Sequence, residues 1–135
     1  MKHSVLVVVI FMMGFGTHLR ADEVEDKAKA GDAQAQYEMG ERYYNGNGVT
    51  EDYAMAAVWY RKAAEHGNAR AQRSLGFLYE CGAGVTKDPA QAVVWYRKGA
   101  EQGDVDAQYC LGLCYAKGKG VTQDPAQAVA ASRRL

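Results

Sequence analysis

The sequence predicts an all-α chain, an array of about 2.5–3 stacked helix-turn-helix repeats, on three observations. The chain superposes on itself without gaps when shifted by 36 residues, with blocks beginning at Gly31, Gly67 and Gly103. Of the 33 positions present in all three blocks, 13 are identical: in the first block Gly31, Ala35, Gln36, Gly40, Tyr43, Gly46, Gly48, Val49, Thr50, Asp52, Ala54, Ala56 and Arg61. Within each block small and apolar residues recur at helical spacing, and glycines fall at fixed points between the runs. A period of this length marks an architecture in which each unit buries its apolar face on the next.

The elements follow in chain order. Residues 1–21 read as a secretory signal peptide: Lys2 and His3 precede an apolar run from Val5 to Phe15, and charge resumes at Arg20 and Asp22. The run is shorter than the ~20 apolar residues of a membrane span. Cleavage is expected near Ala21, with an uncleaved anchor as the alternative. Residues 22–30 are expected to form a short capping helix, equivalent to the tail of a preceding second helix. The repeats are then 31–66, 67–102 and 103–135, the last one truncated.

In each repeat Asp32, Asn68 or Asp104 caps a first helix by accepting from free N–H groups of its first turn. Ala35, Met39 and Tyr43 form one apolar row, repeated by Ala71, Leu75, Tyr79 and by Ala107, Leu111, Tyr115. Gly46, Gly82 and Gly118 end these helices, where a left-handed residue costs glycine least. After a Gly-x-Gly-Val-Thr loop, Asp88 and Asp124 cap second helices, with Pro89 and Pro125 at the first position and Gln91 and Gln127 three after the cap. Gly40, Gly76 and Gly112 sit inside the first helix, where glycine costs about 1 kcal/mol against alanine. Close approach of the paired helix, which presents Ala56, Ala92 and Ala128, accounts for that repeated cost.

The run Ala71-Gln72-x-x-Leu75-Gly76-x-x-Tyr79-x-x-Gly82-x-Gly84-Val85, followed by Asp88-x-Ala90-x-Ala92-x-x-Trp95-Tyr96-x-Lys98, resembles the Sel1-like repeat, a relative of the tetratricopeptide repeat. The first block matches through Ala35, Gln36, Met39, Gly40, Tyr43, Gly46, Gly48, Val49, Asp52, Ala54, Ala56, Trp59, Tyr60 and Lys62. The third matches as far as Ala128 and then departs: Trp59-Tyr60 and Trp95-Tyr96 become Ala131-Ser132. The resemblance implies an α/α superhelix, and a function in assembling complexes as adaptors, many of them exported bacterial proteins. The end repeat of a stack needs a polar cap. Here the C-terminal edge lacks its aromatic anchors, so it is expected either to be open to a partner, including another copy of the chain, or to be what remains of a longer array.

Charge and composition exclude several functions. The chain carries 16 basic and 16 acidic residues, without the basic excess of a nucleic-acid binder. Removal of residues 1–21 leaves 14 basic and 16 acidic groups, which excludes strong attachment to anionic lipid and predicts no membrane association after cleavage. His66 is then the sole histidine, too few for a multi-histidine metal site or a Ser/His/Asp set, and is read as a surface residue or helix-dipole partner. No metal and no cofactor are expected. Some cysteine-rich relatives are described as penicillin-binding or β-lactamase-like, but Ser74 and Ser132 do not begin a Ser-x-x-Lys motif. The Gly-x-Gly loops follow helices rather than strands and lack a phosphate-binding pattern.

Cys81, Cys110 and Cys114 leave an odd thiol over. A Cys81–Cys114 bridge between neighbouring first helices, free or buried thiols, and intermolecular pairing or soft-metal binding are all open. The resemblance places the first helices on the concave face. Helical spacing there gives the stripe Gln34, Tyr37, Glu41 and Tyr44, continued by Arg70, Arg73, Phe77 and Glu80, then Asp106, Tyr109, Leu113 and Ala116. Tyr and Arg are enriched at protein interfaces, so a protein or peptide is the expected partner. For Tyr37, Arg73 and Tyr109 exposure is expected; for Phe77 and Leu113 packing between repeats competes with it. Trp59, Tyr60, Trp95 and Tyr96 are expected in the core. The sequence thus predicts an exported, periplasmic or secreted, non-catalytic adaptor, with a β-lactamase-like hydrolase and a non-functional fragment as alternatives.

Overall fold

The computed structural model describes residues 23–133. The leader expected at 1–21 lies outside them. Seven helices occur among the described residues, without a strand: α1 (23–29), α2 (Ala33–Asn45), α3 (Tyr53–Glu65), α4 (Ala69–Cys81), α5 (Pro89–Glu101), α6 (Val105–Lys117) and α7 (Pro125–Arg133). The hairpins α2–α3, α4–α5 and α6–α7 stack in order, with α3 packed on α4 and α5 on α6. This is the all-α solenoid read from the repeat.

Local signals set the helix ends. Asp32, Asn68 and Asp104 accept from the amides of Ala35, Ala71 and Ala107 at 2.7, 2.9 and 2.8 Å. Gly46, Gly82 and Gly118 take φ of 70, 69 and 65° at the C-caps. Asp88 caps α5 by accepting from the Gln91 amide at 3.1 Å. Its own N–H donates to the Tyr79 carbonyl at 2.9 Å, a bond that closes the loop and takes the place of a reciprocal bond from the Gln91 side chain.

The helical glycines mark a close approach, but what approaches differs from expectation. A Cβ on Gly76 would lie 2.7 Å from Tyr96 Cδ1 and 3.1 Å from the Ala92 carbonyl oxygen. On Gly40 it would meet the Tyr60 ring. The ring of the second-helix tyrosine, more than the alanine methyl, therefore demands the glycine. In the third repeat Ser132 replaces that tyrosine, and a Cβ on Gly112 would meet nothing nearer than the Ala128 carbonyl oxygen at 3.3 Å.

The core lies along the stack. Tyr60 and Tyr96 are fully buried, and Trp59 and Trp95 nearly so, as expected for the aromatic anchors. Lys62 and Lys98 lie over the two indoles at 4.6 and 4.5 Å from the ring centroids. Invariant polar residues bind one repeat to the next. Arg61 donates to the Tyr79 hydroxyl, and Arg97 to that of Tyr115 at 2.6 Å. Gln36, Gln72 and Gln108 are buried and donate to the carbonyls of Ala28, Ala64 and Ala100 at 3.1, 3.1 and 3.2 Å. The Gln36 carbonyl oxygen lies 2.8 Å from His66 Nδ1, and that of Gln72 accepts from Gln102 at 2.7 Å. His66 is thus part of a junction between repeats.

Candidate functional site

The first helices α2, α4 and α6 build one cleft of about 360 Å³. Tyr37, Glu41 and Tyr44 line it from α2; Arg73, Ser74 and Phe77 from α4; Asp106 and Cys110 from α6; Tyr60 reaches it from α3. Three- and four-residue spacing puts each set on one face of its helix. Six residues of the predicted stripe meet here: Tyr37, Glu41, Tyr44, Arg73, Phe77 and Asp106.

The walls rest against two further rings, Tyr60 of the core and the exposed Tyr53. The Tyr37 ring lies 5.8 Å from that of Tyr60, tilted 34°, and Tyr44 lies 5.2 Å from Tyr53, tilted 44°. These tilted pairs are in the favourable range for aromatic contact. Tyr37 is accordingly half-buried rather than exposed, while Phe77 leaves 44% of its surface open. The Tyr60 hydroxyl donates to Glu41 Oε1. In the next repeat the Tyr96 hydroxyl donates to Glu80 Oε2 at 2.5 Å. Burial first, and the carboxylate bond second, hold both phenols well above the usual tyrosine range. Each therefore acts as a fixed donor that orients a carboxylate on the first-helix face. Burial, and then the charge of Glu41, also raise the Tyr37 phenol.

Arg73 is half-buried because its charge is engaged: Nε lies 3.9 Å from Asp104 Oδ1, and Nη1 pairs with Asp106. No lysine or arginine among the described residues forms an ion pair with Glu41. The cleft thus presents aromatic walls, a tyrosine-held carboxylate, and an arginine neutralised by two acids.

The other stripe residues lie outside this cleft. Gln34 is exposed and accepts from Asn68 at 3.4 Å. Arg70 is exposed, and Glu80 is half-buried beside Tyr96. Tyr109 and Leu113, 54% and 37% exposed, line a second, shallower groove of about 290 Å³ with Ala116, Ala128, Val129 and Ser132 at the α6–α7 edge. Sequence reasoning missed Tyr60, Ser74 and Cys110 in the first cleft. The tyrosine was readable as core, but nothing in the sequence shows that its hydroxyl emerges at Glu41.

Cys81, Cys110 and Cys114 are free thiols. Cys81 is exposed at the end of α4, whereas Cys114 is buried in the α5–α6 core with Tyr96 and Leu111. Burial pushes the Cys114 thiol up to about 11 and raises that of Cys110. Among the described residues no three His, Cys, Asp or Glu side chains are grouped to hold a metal ion. The residues lining the cleft include no histidine or lysine to serve Ser74 as a base. No helix of the described residues is long and apolar enough to cross a membrane.

Helical hairpins of this period, joined by Gly-x-Gly loops and stacked through buried glutamines, define a class of α-solenoid. The Sel1 repeat family model matches residues 33–68, 69–104 and 105–130, and the chain belongs to the Sel1 repeat family. A protective antigen of uropathogenic Escherichia coli with an SLR fold superposes with a TM-score of 0.83 at 42% identity, over 84% of this chain and 24% of that one. A Sel1 repeat protein from Oxalobacter formigenes gives 0.78 at 39% identity, over 85% and 86% of the two chains. Cysteine-rich protein B of Helicobacter pylori gives 0.65 at 25%, over 83% and 85%. The secretory immunoglobulin A-binding protein EsiB of Escherichia coli is 42% identical over 69 residues, which are 47% of this chain and 14% of that protein. Sel1 repeats generally mediate protein–protein interaction.

Proposed function

We propose that this chain is a non-catalytic adaptor that binds a protein or peptide on the concave face formed by its first helices. The single observation that carries this reading is the cleft shared by α2, α4 and α6, whose aromatic walls rest against the rings of Tyr60 and Tyr53. A rigid, aromatic, partly charged surface fits the composition of protein-binding hot spots. The name of the relative EsiB records a protein ligand, which accords with a protein partner here. The apolar run behind Lys2 supports export, to the periplasm or beyond. Self-association through the α6–α7 edge, with its exposed Tyr109 and Val129, is a second element of the proposal.

The test is selection of displayed random dodecapeptides on the protein, with recovered peptides measured by titration calorimetry against Phe77→Asp and Tyr109→Asp. Both side chains are exposed, so the fold should tolerate either change. Binding lost on Phe77→Asp and kept on Tyr109→Asp is the expected outcome. Peptides indifferent to Phe77→Asp would refute the site.

A further inference from the structure

We infer that the cleft is built to receive a basic side chain of the bound peptide, an arginine or lysine. This rests on the first-helix face being the binding face, and it specifies what that face selects. Glu41 supplies the charge. It is half-buried on the cleft wall, its Oε1 accepts from the Tyr60 hydroxyl, and no cation among the described residues pairs with it. Holding a carboxylate in a partly desolvated wall is unfavourable unless its remaining acceptor capacity is met. Tyr60 meets one part and fixes the orientation. The Tyr37 phenol is a second neighbour of the same carboxylate, and Glu41 lines the cleft with what capacity remains.

The rings around Glu41 suit a cation's stem and head. Tyr37 and Tyr44 stand on the same helix, four before and three after Glu41, and Phe77 stands opposite on α4. A lysine or arginine stem is apolar and lies against such surface, while its charged head gains from ring faces and from a carboxylate. The cation already present does not fill this role, because Arg73 is turned to Asp104 and Asp106. Those acids also reduce the repulsion that an unpaired arginine would exert on an incoming one. The charge facing the ligand is therefore the carboxylate's, and an acidic residue would meet it unfavourably.

The test uses three blocked pentapeptides, glycine at every position except a central arginine, norleucine or glutamate, titrated into the protein while amide shifts are followed by NMR. The arginine peptide should shift residues 37–44 and 73–77 and bind about fivefold more tightly than the norleucine peptide. The advantage should shrink as salt is raised. Glu41→Gln should remove it, bringing the arginine and norleucine peptides to equal affinity. A circular-dichroism spectrum controls for the weaker, uncharged acceptor then offered to Tyr60, and Phe77→Ala supplies a second variant, expected to weaken the arginine peptide with Glu41 intact. Equal binding of arginine and norleucine, or an arginine preference that survives Glu41→Gln, would overturn the inference and leave the binding face standing. Shifts confined to other surfaces would remove the binding face, and the inference with it.

Discussion

Ala131→Trp tests whether the third repeat is weakened by its missing anchor. Trp59 and Trp95, at the equivalent position, are 8% and 6% exposed. Trp95 packs in one cluster with Ala64, Ala71 and Leu75, and the period carries those three to Ala100, Ala107 and Leu111. Beside Ala131 lies a cavity of about 180 Å³ whose lining includes Ala100 and Leu111, with Arg97 and Tyr115 at its wall. A dry cavity of ~150 Å³ holds a benzene ring in a protein interior. The site therefore has room for most of an indole. Leu111 also shows the deficit, at 8% exposed against 0% for Leu75.

Truncating a buried tryptophan to alanine costs about 3–5 kcal/mol in a closed core. Among the described residues α7 packs mainly on α6, and the new side chain loses rotamer freedom, so about 1.5–2 kcal/mol of added stability is the expectation. For a domain near 100 residues that corresponds to a rise in Tm of about 6–10 °C. The assay is thermal unfolding by circular dichroism, paired with fluorescence, because an indole in this cavity emits to the blue of one in water. Ala126→Trp, on the exposed side of α7, is the control and should leave Tm within about 1 °C by the near-neutrality of surface substitutions. An unchanged Tm with red-shifted emission for Ala131→Trp would show that the cavity is not a vacated anchor site.

Three further outcomes are expected. Gly76→Leu should destabilise by at least 3 kcal/mol, since even its Cβ collides with Tyr96, whereas Gly112→Ala should stay within about 0.5 kcal/mol because helix propensity offsets a mild contact; urea titrations that give the two variants equal loss would contradict the tyrosine account. Unfolded tyrosine ionises near pH 10, while Tyr60 and Tyr96 are held protonated when folded; their stabilisation is thus complete below about pH 10 and lost as pH rises above it. Melting series from pH 8 to 11 should fall more steeply for the natural protein than for Tyr60→Phe/Tyr96→Phe, and parallel curves would argue otherwise. Iodoacetamide at pH 8 should label exposed Cys81 first and Cys114 only on unfolding, with three thiols counted in urea without reductant; a count of one would establish an internal bridge.

Much of the fold was legible because the repeat supplies the same signal three times. Asp32, Asn68 and Asp104, and the glycines that follow, act through bonds to their nearest neighbours in sequence. Such local chemistry survives reading in one dimension. What escaped depends on the angle at which helices meet. The sequence shows Gly40 and Gly76 but not that a tyrosine ring, rather than an alanine methyl, lies over them. It shows Cys81 and Cys114 on adjacent helices, but not that one faces solvent and the other the core. The stripe was found by spacing, yet spacing cannot divide it between the cleft at Tyr37 and the outer groove at Tyr109.

The glutamates illustrate why identity between repeats is a poor guide to the site. Glu41 and Glu80 occupy different positions of their repeats, three residues apart in register, and so neither appears among the identical positions. Yet each accepts from the equivalent tyrosine, Tyr60 or Tyr96. Residues three apart on a helix share a face, so either position can bring a carboxylate to the same hydroxyl. The first two repeats therefore keep the donor and let the acceptor move by one turn along the first helix. Moving it changes which residue remains to line the surface: Glu41 between Tyr37 and Tyr44 in one repeat, Phe77 with Glu80 one turn on in the next. A rigid core tyrosine with an adjustable glutamate lets a uniform stack carry a different charge pattern on each unit, which a repeat protein needs if its partners are to be told apart.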